Sequence, residues 1–225
     1  MSPESPRADR RTVALSKPQI VGVAIEILDA GGVDSLTFRA LAARLSTGAG
    51  AIYHHVSNRE ELLAAAAAAV MAAVLTGADS NEPGQGIRAV LVGVFDTITA
   101  HPWVGTQLAA APWQPAVLQL LERVGSELDG LDVPAASQFD AASVLVQYLV
   151  GVASQYDAGS RLPGMEMGRP AFLVSATSAA THGDGDDFPF LSRIGRQIAE
   201  HDDRDQFRAG IEIILAGIGS ERSTR

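Results

Sequence analysis

Two short amphipathic stretches, 38–45 and 49–55, separated only by Ser46-Thr47-Gly48, constrain the fold more than any other feature of this 225-residue chain. Helices of seven or eight residues are marginal in isolation, so such a pair must share a core with its neighbours. Leu41, Ala42 and Leu45 line one face of the first stretch, Thr37 is placed to cap it, and Arg39 and Arg44 project elsewhere. In the second stretch Ile52 and Val56, four residues apart, turn inward and Tyr53 turns outward. Longer helices flank the pair. Ile20, Val23, Ala24, Ile27 and Leu28 make a single stripe that predicts a helix over 18–30, opened by a Ser16…Gln19 capping box with Pro18 in the first turn and stopped by Gly31-Gly32. A second capping box, Ser57…Glu60, opens a long helix carrying Leu62, Leu63, Ala66, Val70, Met71 and Val74. Ile20, Ile27, Leu36, Leu41, Leu45, Ile52 and Leu62 supply a small common core.

Two short helices joined by a three-residue turn and buttressed on both sides match the helix-turn-helix plan, in which the start of the second helix enters the DNA major groove. The net charge of -9 argues against nucleic acid only until it is divided along the chain. Residues 1–59 hold seven Lys/Arg against five Asp/Glu, whereas 60–225 hold ten against twenty-one. A mildly basic head on an acidic body suits a protein that meets phosphates with one end. The chain has no cysteine, which excludes disulfides and thiolate chemistry and fits a reducing cytosol. The first fifteen residues carry three arginines and no apolar core of signal-peptide length. The longest nearly uncharged run, 62–75, falls well short of the roughly twenty residues needed to cross a bilayer. The expected setting is the cytoplasm, with no membrane partner.

Beyond the head, 77–86 is rich in Gly, Asn, Pro and acids and reads as a linker. Apolar residues then recur at helical spacing over 87–100, 103–111, 115–128, 137–157, 190–201 and 206–218, with no strand alternation. The expected architecture is all-α: a flexible arm (1–15), a helix-turn-helix head (16–76) extended by its long helix, a linker (77–86), and a helical ligand-binding and dimerisation body (87–220). Within that body 159–187 reads as a mobile loop with a short helical turn at 172–176. Gly151, Ala153, Gly210 and Gly217, beside Leu149, Val152, Ile211 and Ile214, suggest a dimer seam on the helices 137–157 and 206–218. The five histidines form no HExxH, and no phosphate loop or serine elbow is present, so the chain reads as neither an enzyme nor the holder of a cofactor or metal. A helical interaction module without DNA binding stays open, because Gly48-Ala49-Gly50-Ala51 offers few base-reading groups.

The run Leu36-Thr37-Phe38-Arg39-Ala40-Leu41-Ala42-Ala43-Arg44-Leu45, followed by Ala51-Ile52-Tyr53-His54-His55-Val56-Ser57-Asn58-Arg59-Glu60-Glu61-Leu62-Leu63, resembles the N-terminal domain of the tetracycline-repressor (TetR) family. Phe207-Arg208-Ala209-Gly210-Ile211-Glu212-Ile213-Ile214 resembles the last helix of that branch's C-terminal domain. The resemblance implies a homodimeric repressor that binds palindromic double-stranded operator DNA and is released by a small-molecule effector. It implies phosphate contacts by Thr37, Tyr53, His55 and Arg59 and base contact by Arg39; Gly48-Ala49-Gly50-Ala51 departs from the larger polar groups of relatives at the start of the recognition helix, which lets the backbone approach the groove and leaves specificity to Arg39, Tyr53, His54 and DNA shape. For the effector it points to an apolar pocket with aromatic and amide groups around His101, Trp103, Gln107, Trp113, Gln147 and Tyr148, residues that core packing explains almost as well.

Overall fold

The computed structural model describes residues 15–77, 84–160, 162, 164–181 and 188–221. The arm, most of the linker and 182–187 lie outside the described residues. Among the described residues all regular structure is helical, in two compact units, Met1–Ala66 and Ala67–Arg225.

The head is built from α1 (Lys17–Gly31), a 3-10 turn (Val33–Ser35), α2 (Phe38–Arg44), α3 (Ala49–Tyr53) and the start of α4 (Arg59–Leu75). Gln19 Oε1 accepts from the Ser16 backbone N–H at 3.0 Å, the reciprocal half of the expected capping box. Gly32, at φ 70°, ends α1 by returning its N–H to the Leu28 carbonyl at 2.8 Å. Thr37 Oγ1 accepts from Ala40 N–H at 3.1 Å and so starts α2. The turn between α2 and α3 holds Ser46 at φ 51°. Ile20, Ile27, Leu36, Leu41, Ile52 and Leu62 are buried together, each contributing about 1.5–3 kcal/mol by leaving water, while Leu45 is only half-buried.

The second capping device sits one residue later than the sequence suggests. Asn58 Oδ1 accepts from Glu61 N–H at 2.7 Å, and Glu61 Oε2 accepts from Ser57 N–H at 2.8 Å. Glu60, the expected partner, is exposed. Asn is as good a cap as Ser, and choosing it lets Glu61 also reach Lys17 Nζ at 2.7 Å. The division between the units falls inside α4, between Ala66 and Ala67, ahead of the linker expected over 77–86.

The body comprises the end of α4, α5 (Gln85–Ala100), α6 (Trp103–Ala110), α7 (Pro115–Asp129), α8 (Ala135–Ser160), α9 (Arg169–Thr181), α10 (Pro189–Glu200) and α11 (Asp203–Glu221). At 26 residues, roughly 39 Å, α8 is its axis, and α5, α6, α7 and α11 all pack on it. Gly105 permits the close crossing of α6: a Cβ there would lie 2.6 Å from the Ala153 carbonyl. Trp103, Phe207, Ile87, Leu91 and Ile98 are fully buried.

The expected loop over 159–187 is corrected by α9, a thirteen-residue helix that packs against α10. Its Ser and Thr residues suggested a loop, but Thr177 returns its hydroxyl to the Leu173 carbonyl at 2.7 Å, which satisfies it inside a helix. Pro170, in the first turn, is compatible with a helix start.

Candidate nucleic-acid interface and body cavity

The exposed side of the head collects most of the residues expected at DNA. Thr37 is exposed, and while its oxygen caps α2 its hydroxyl proton remains available to an outside acceptor. Arg39 is exposed and makes no hydrogen bond or ion pair among the described residues, whereas Arg44 is held toward Glu26 at 3.4 Å. Gly48, Ala49 and Gly50 are exposed and Ala51 is half-buried; a side chain at Gly48 or Gly50 would meet nothing within 4 Å. His54 is exposed and His55 half-buried, directly after α3.

Tyr53 is 54% exposed, yet its ring is not loose. It lies flat on Phe38, with centroids 4.3 Å apart and planes within 4°. The stack ties the end of α3 to the first residue of α2, immediately beside Arg39. Sequence reasoning missed Phe38; the available signal was that it and Tyr53 are the only aromatic residues in the first 66.

Arg59 is placed differently from the phosphate contact expected of it. Its Nε donates to the Leu36 carbonyl at 3.1 Å and its Nη2 to the Val33 carbonyl at 2.5 Å. Half-buried, it serves as a strut between the start of α4 and the α1–α2 connection, where the Val33 carbonyl, which also accepts from Leu36 N–H at 3.2 Å, uses its second lone pair on Arg59. Across the head, Lys17 and the Ser57 amide hold the Glu61 carboxyl down at about 2, well below its usual 4.5.

The body contains a cavity of about 790 Å³. Its floor is two adjacent rows of α8, Gln147–Gly151–Gln155 and Tyr148–Val152–Tyr156, each spaced by four residues and so side by side on one face. Phe172 and Leu173 of α9 and Gln206 of α11 complete it, with Arg169, His201 and Asp203 at one end. Behind the floor the aromatic rings are linked: Tyr148 stacks on Phe207 at 5.3 Å, Phe207 on Phe95 at 4.8 Å, and Tyr156 meets Phe95 edge-on at 6.2 Å. Burial pushes the Tyr148 phenol above its ordinary pKa, and its hydroxyl donates toward the Phe207 carbonyl at 3.4 Å. Its hydroxyl takes the space over Gly210, where a Cβ would be 2.0 Å away.

At the charged end, Arg169 Nη2 donates to Asp203 Oδ1 and, at 2.8 Å, to His201 Nε2. His201 Nδ1 donates to the Ile198 carbonyl at 2.6 Å, and its Nε2 lies 2.8 Å from Arg169 Nη2 and 3.2 Å from Asp203 Oδ1.

Of the six residues expected around an effector, Gln147 and Tyr148 line this cavity. The other four are not among its lining residues. Trp103 is buried in the core, His101 packs edge-on against it at 6.3 Å, and the Gln107 carbonyl accepts from buried Gln114 at 2.9 Å. Trp113 is 74% exposed before α7. Arg169, Phe172, His201 and Asp203 were hidden from sequence reading because they come from the segment taken for a loop and from the α10–α11 break.

Two family models match the chain: "Bacterial regulatory proteins, tetR family" over 20–66 and "Tetracyclin repressor-like, C-terminal domain" over 87–222. The chain belongs to the TetR family. It is 42% identical to the transcriptional regulator SCO7222, a TetR from Streptomyces coelicolor, covering 92% of this chain and 98% of that one with a TM-score of 0.80. A structure of ActR from the same organism, in complex with actinorhodin, is 26% identical over 92% of this chain and 96% of its own, with a TM-score of 0.75. An HTH-type transcriptional regulator of Saccharopolyspora erythraea is 29% identical over 164 residues, 69% of this chain and 70% of that protein. The protein is thus a TetR-family transcriptional regulator with an all-helical fold. Among the described residues no helix is long and apolar enough to cross a membrane, and no group of three or more His, Asp or Glu could hold a metal.

Proposed function

We propose that this TetR-family regulator is a cytoplasmic homodimeric repressor that binds a palindromic operator and is released when a small molecule occupies the body cavity. The observation that carries the reading is the exposed surface on which Arg39, without a partner among the described residues, sits next to the Tyr53–Phe38 stack. A fixed aromatic with a hydroxyl suits a phosphate, and an unpaired arginine suits the O6/N7 edge of guanine. Thr37 and His55 add phosphate contacts, His54 a further polar group, and Gly48 through Ala51 a small-sided α3 that can sit close to the groove floor. Arg59 contributes by holding the head in shape. Support for an effector comes from the size of the cavity, within the 300–1,000 Å³ usual for small-molecule sites, and from the related ActR, which binds actinorhodin.

For the dimer, α8 and α11 expose apolar side chains that a second copy would cover: Phe139, Val144 and Ile213, the last 74% exposed. The expected seam shifts accordingly, since Leu149, Ala153 and Ile211 are buried within the protomer and Gly210 lies under Tyr148.

The test is operator binding by the purified protein over a range of salt. Arg39→Ala should flatten base preference, with a loss of roughly 1–3 kcal/mol at the preferred site. Tyr53→Phe should weaken all sites alike. Binding with no sequence preference at any salt concentration would defeat the repressor reading.

A further inference from the structure

Helices α5 and α11 run antiparallel, and their facing residues repeat every four positions: 88, 92 and 96 on α5 against 212, 208 and 204 on α11. The outer rungs of this ladder are complete. Arg88 Nε and Nη2 donate to the two oxygens of Glu212 at 2.6 and 2.7 Å, and Arg204 Nε and Nη2 donate to those of Asp96 at 2.7 and 2.9 Å. These hydrogen bonds hold the Glu212 and Asp96 carboxyls below their usual pKa range.

The middle rung lacks an acid. In this register Arg208 falls opposite Val92; it is exposed and makes no hydrogen bond or ion pair among the described residues. A cleft of about 210 Å³ lies there, floored by Ala89, Val92 and Ile211 and walled by Arg88, Arg204 and Arg208. Three of the ten basic residues in 60–225 thus line one small space, in a region that holds twenty-one acids. Glu212 is the one carboxylate among its described lining residues. Arg88 and Arg204 are committed to their carboxylates, and Asp202 and Asp205 add negative charge beside Arg204. Arg208 is therefore the cation with its whole fork open to a ligand, and a planar fork matches the oxygens of a phosphate.

The excess of arginine over carboxylate suits a phosphate monoester, which carries a charge of about -1.5 to -2 at neutral pH, better than a carboxylate. The volume is below the roughly 300–1,000 Å³ of pockets that enclose a drug-sized ligand, yet the apolar floor extends beyond the reach of a lone oxyanion. Gln85 adds an amide that can both donate and accept. We propose that the cleft between α5 and α11 is a second small-molecule site, for a compact phosphate monoester. Its phosphate is received by Arg208, its few carbons lie over Ala89 and Val92, and its hydroxyls meet Gln85. The site shares no lining residue with the 790 Å³ cavity and does not depend on what that cavity binds.

The test titrates the full-length protein calorimetrically, at matched ionic strength, with ribose 5-phosphate, ribose and inorganic phosphate. The ester should bind about tenfold or more tightly than either of its parts. Arg208→Gln should remove that advantage, and Arg208→Lys should keep part of it, since lysine supplies the charge without the fork. Arg193, an exposed arginine over the Phe190 ring on α10, serves as the control: Arg193→Gln removes the same charge elsewhere and should change nothing. No binding of ribose 5-phosphate by the wild type overturns the proposal, a result that needs no variant to fold. Inorganic phosphate binding as tightly as the ester overturns it too, because the cleft then holds an adventitious ion only. Unchanged affinity in Arg208→Gln, or an equal loss in Arg208→Gln and Arg193→Gln, likewise removes Arg208 as the receiving group and the proposal with it.

Discussion

Tyr53 owes its orientation to Phe38. An exposed tyrosine alone samples several rotamers, and holding one for a phosphate has an entropic cost. The face-to-face stack at 4.3 Å offsets that cost before DNA arrives. Phe38→Ala should therefore weaken operator binding several-fold across all sequences while leaving base preference intact, and Phe38→Tyr should retain most of the affinity. Electrophoretic mobility shifts against matched and mismatched operators check this; unchanged affinity in Phe38→Ala would remove the stack from the binding machinery. A second residue-scale expectation concerns Glu61, whose folded pKa of about 2 lies below its ordinary 4.5. A depressed carboxylate stabilises the fold above the unfolded pKa, and that stabilisation is lost as pH falls from about 4.5 toward 2. The difference in Tm between wild type and Glu61→Gln should thus be present at pH 7 and vanish near pH 2. Because the Lys17 pair is exposed to solvent, salt should shrink it as well.

At the scale of elements, α3 is five residues long and contains Gly50, which nothing inside the protein requires. Its φ is ordinary and space around it is open. Gly50→Ala should stabilise the head by up to about 1 kcal/mol on helix propensity, seen as a raised Tm. The same methyl group would stand where α3 approaches the groove, so operator affinity should fall. A variant that is both more stable and equally tight on DNA would show that close backbone approach is not used. The helices of the head were legible in the sequence because capping residues and the 3.6-residue stripe agree on the same boundaries: Ser16 and Gln19, Thr37, and Gly32 each do what their chemistry predicts. In α9 no such agreement exists. Its Ser and Thr residues resemble a loop until the Thr177 hydroxyl is seen to bond backward along the helix, and α9 packs on α10, a partner the sequence does not name.

At the scale of the molecule, the proposed repressor acts as two copies. Ile213 is 74% exposed on α11, and Phe139 and Val144 are exposed on α8. Ile213→Asp should shift the protein toward monomer in sedimentation velocity and lower operator affinity, since one head then binds without the other. An unaltered dimer would place the seam elsewhere. The sequence by itself determined an all-helical chain, a head whose short helices must share a core, and the outward placement of Arg39 and Tyr53, because these follow from local spacing and capping. Only the tertiary structure decided that Arg59 braces the head, that Trp103 fills the core, and that Arg169 and His201 join Tyr148 around one cavity. Those outcomes depend on which helices meet, and contacts between residues dozens of positions apart leave no periodic mark on the chain that makes them.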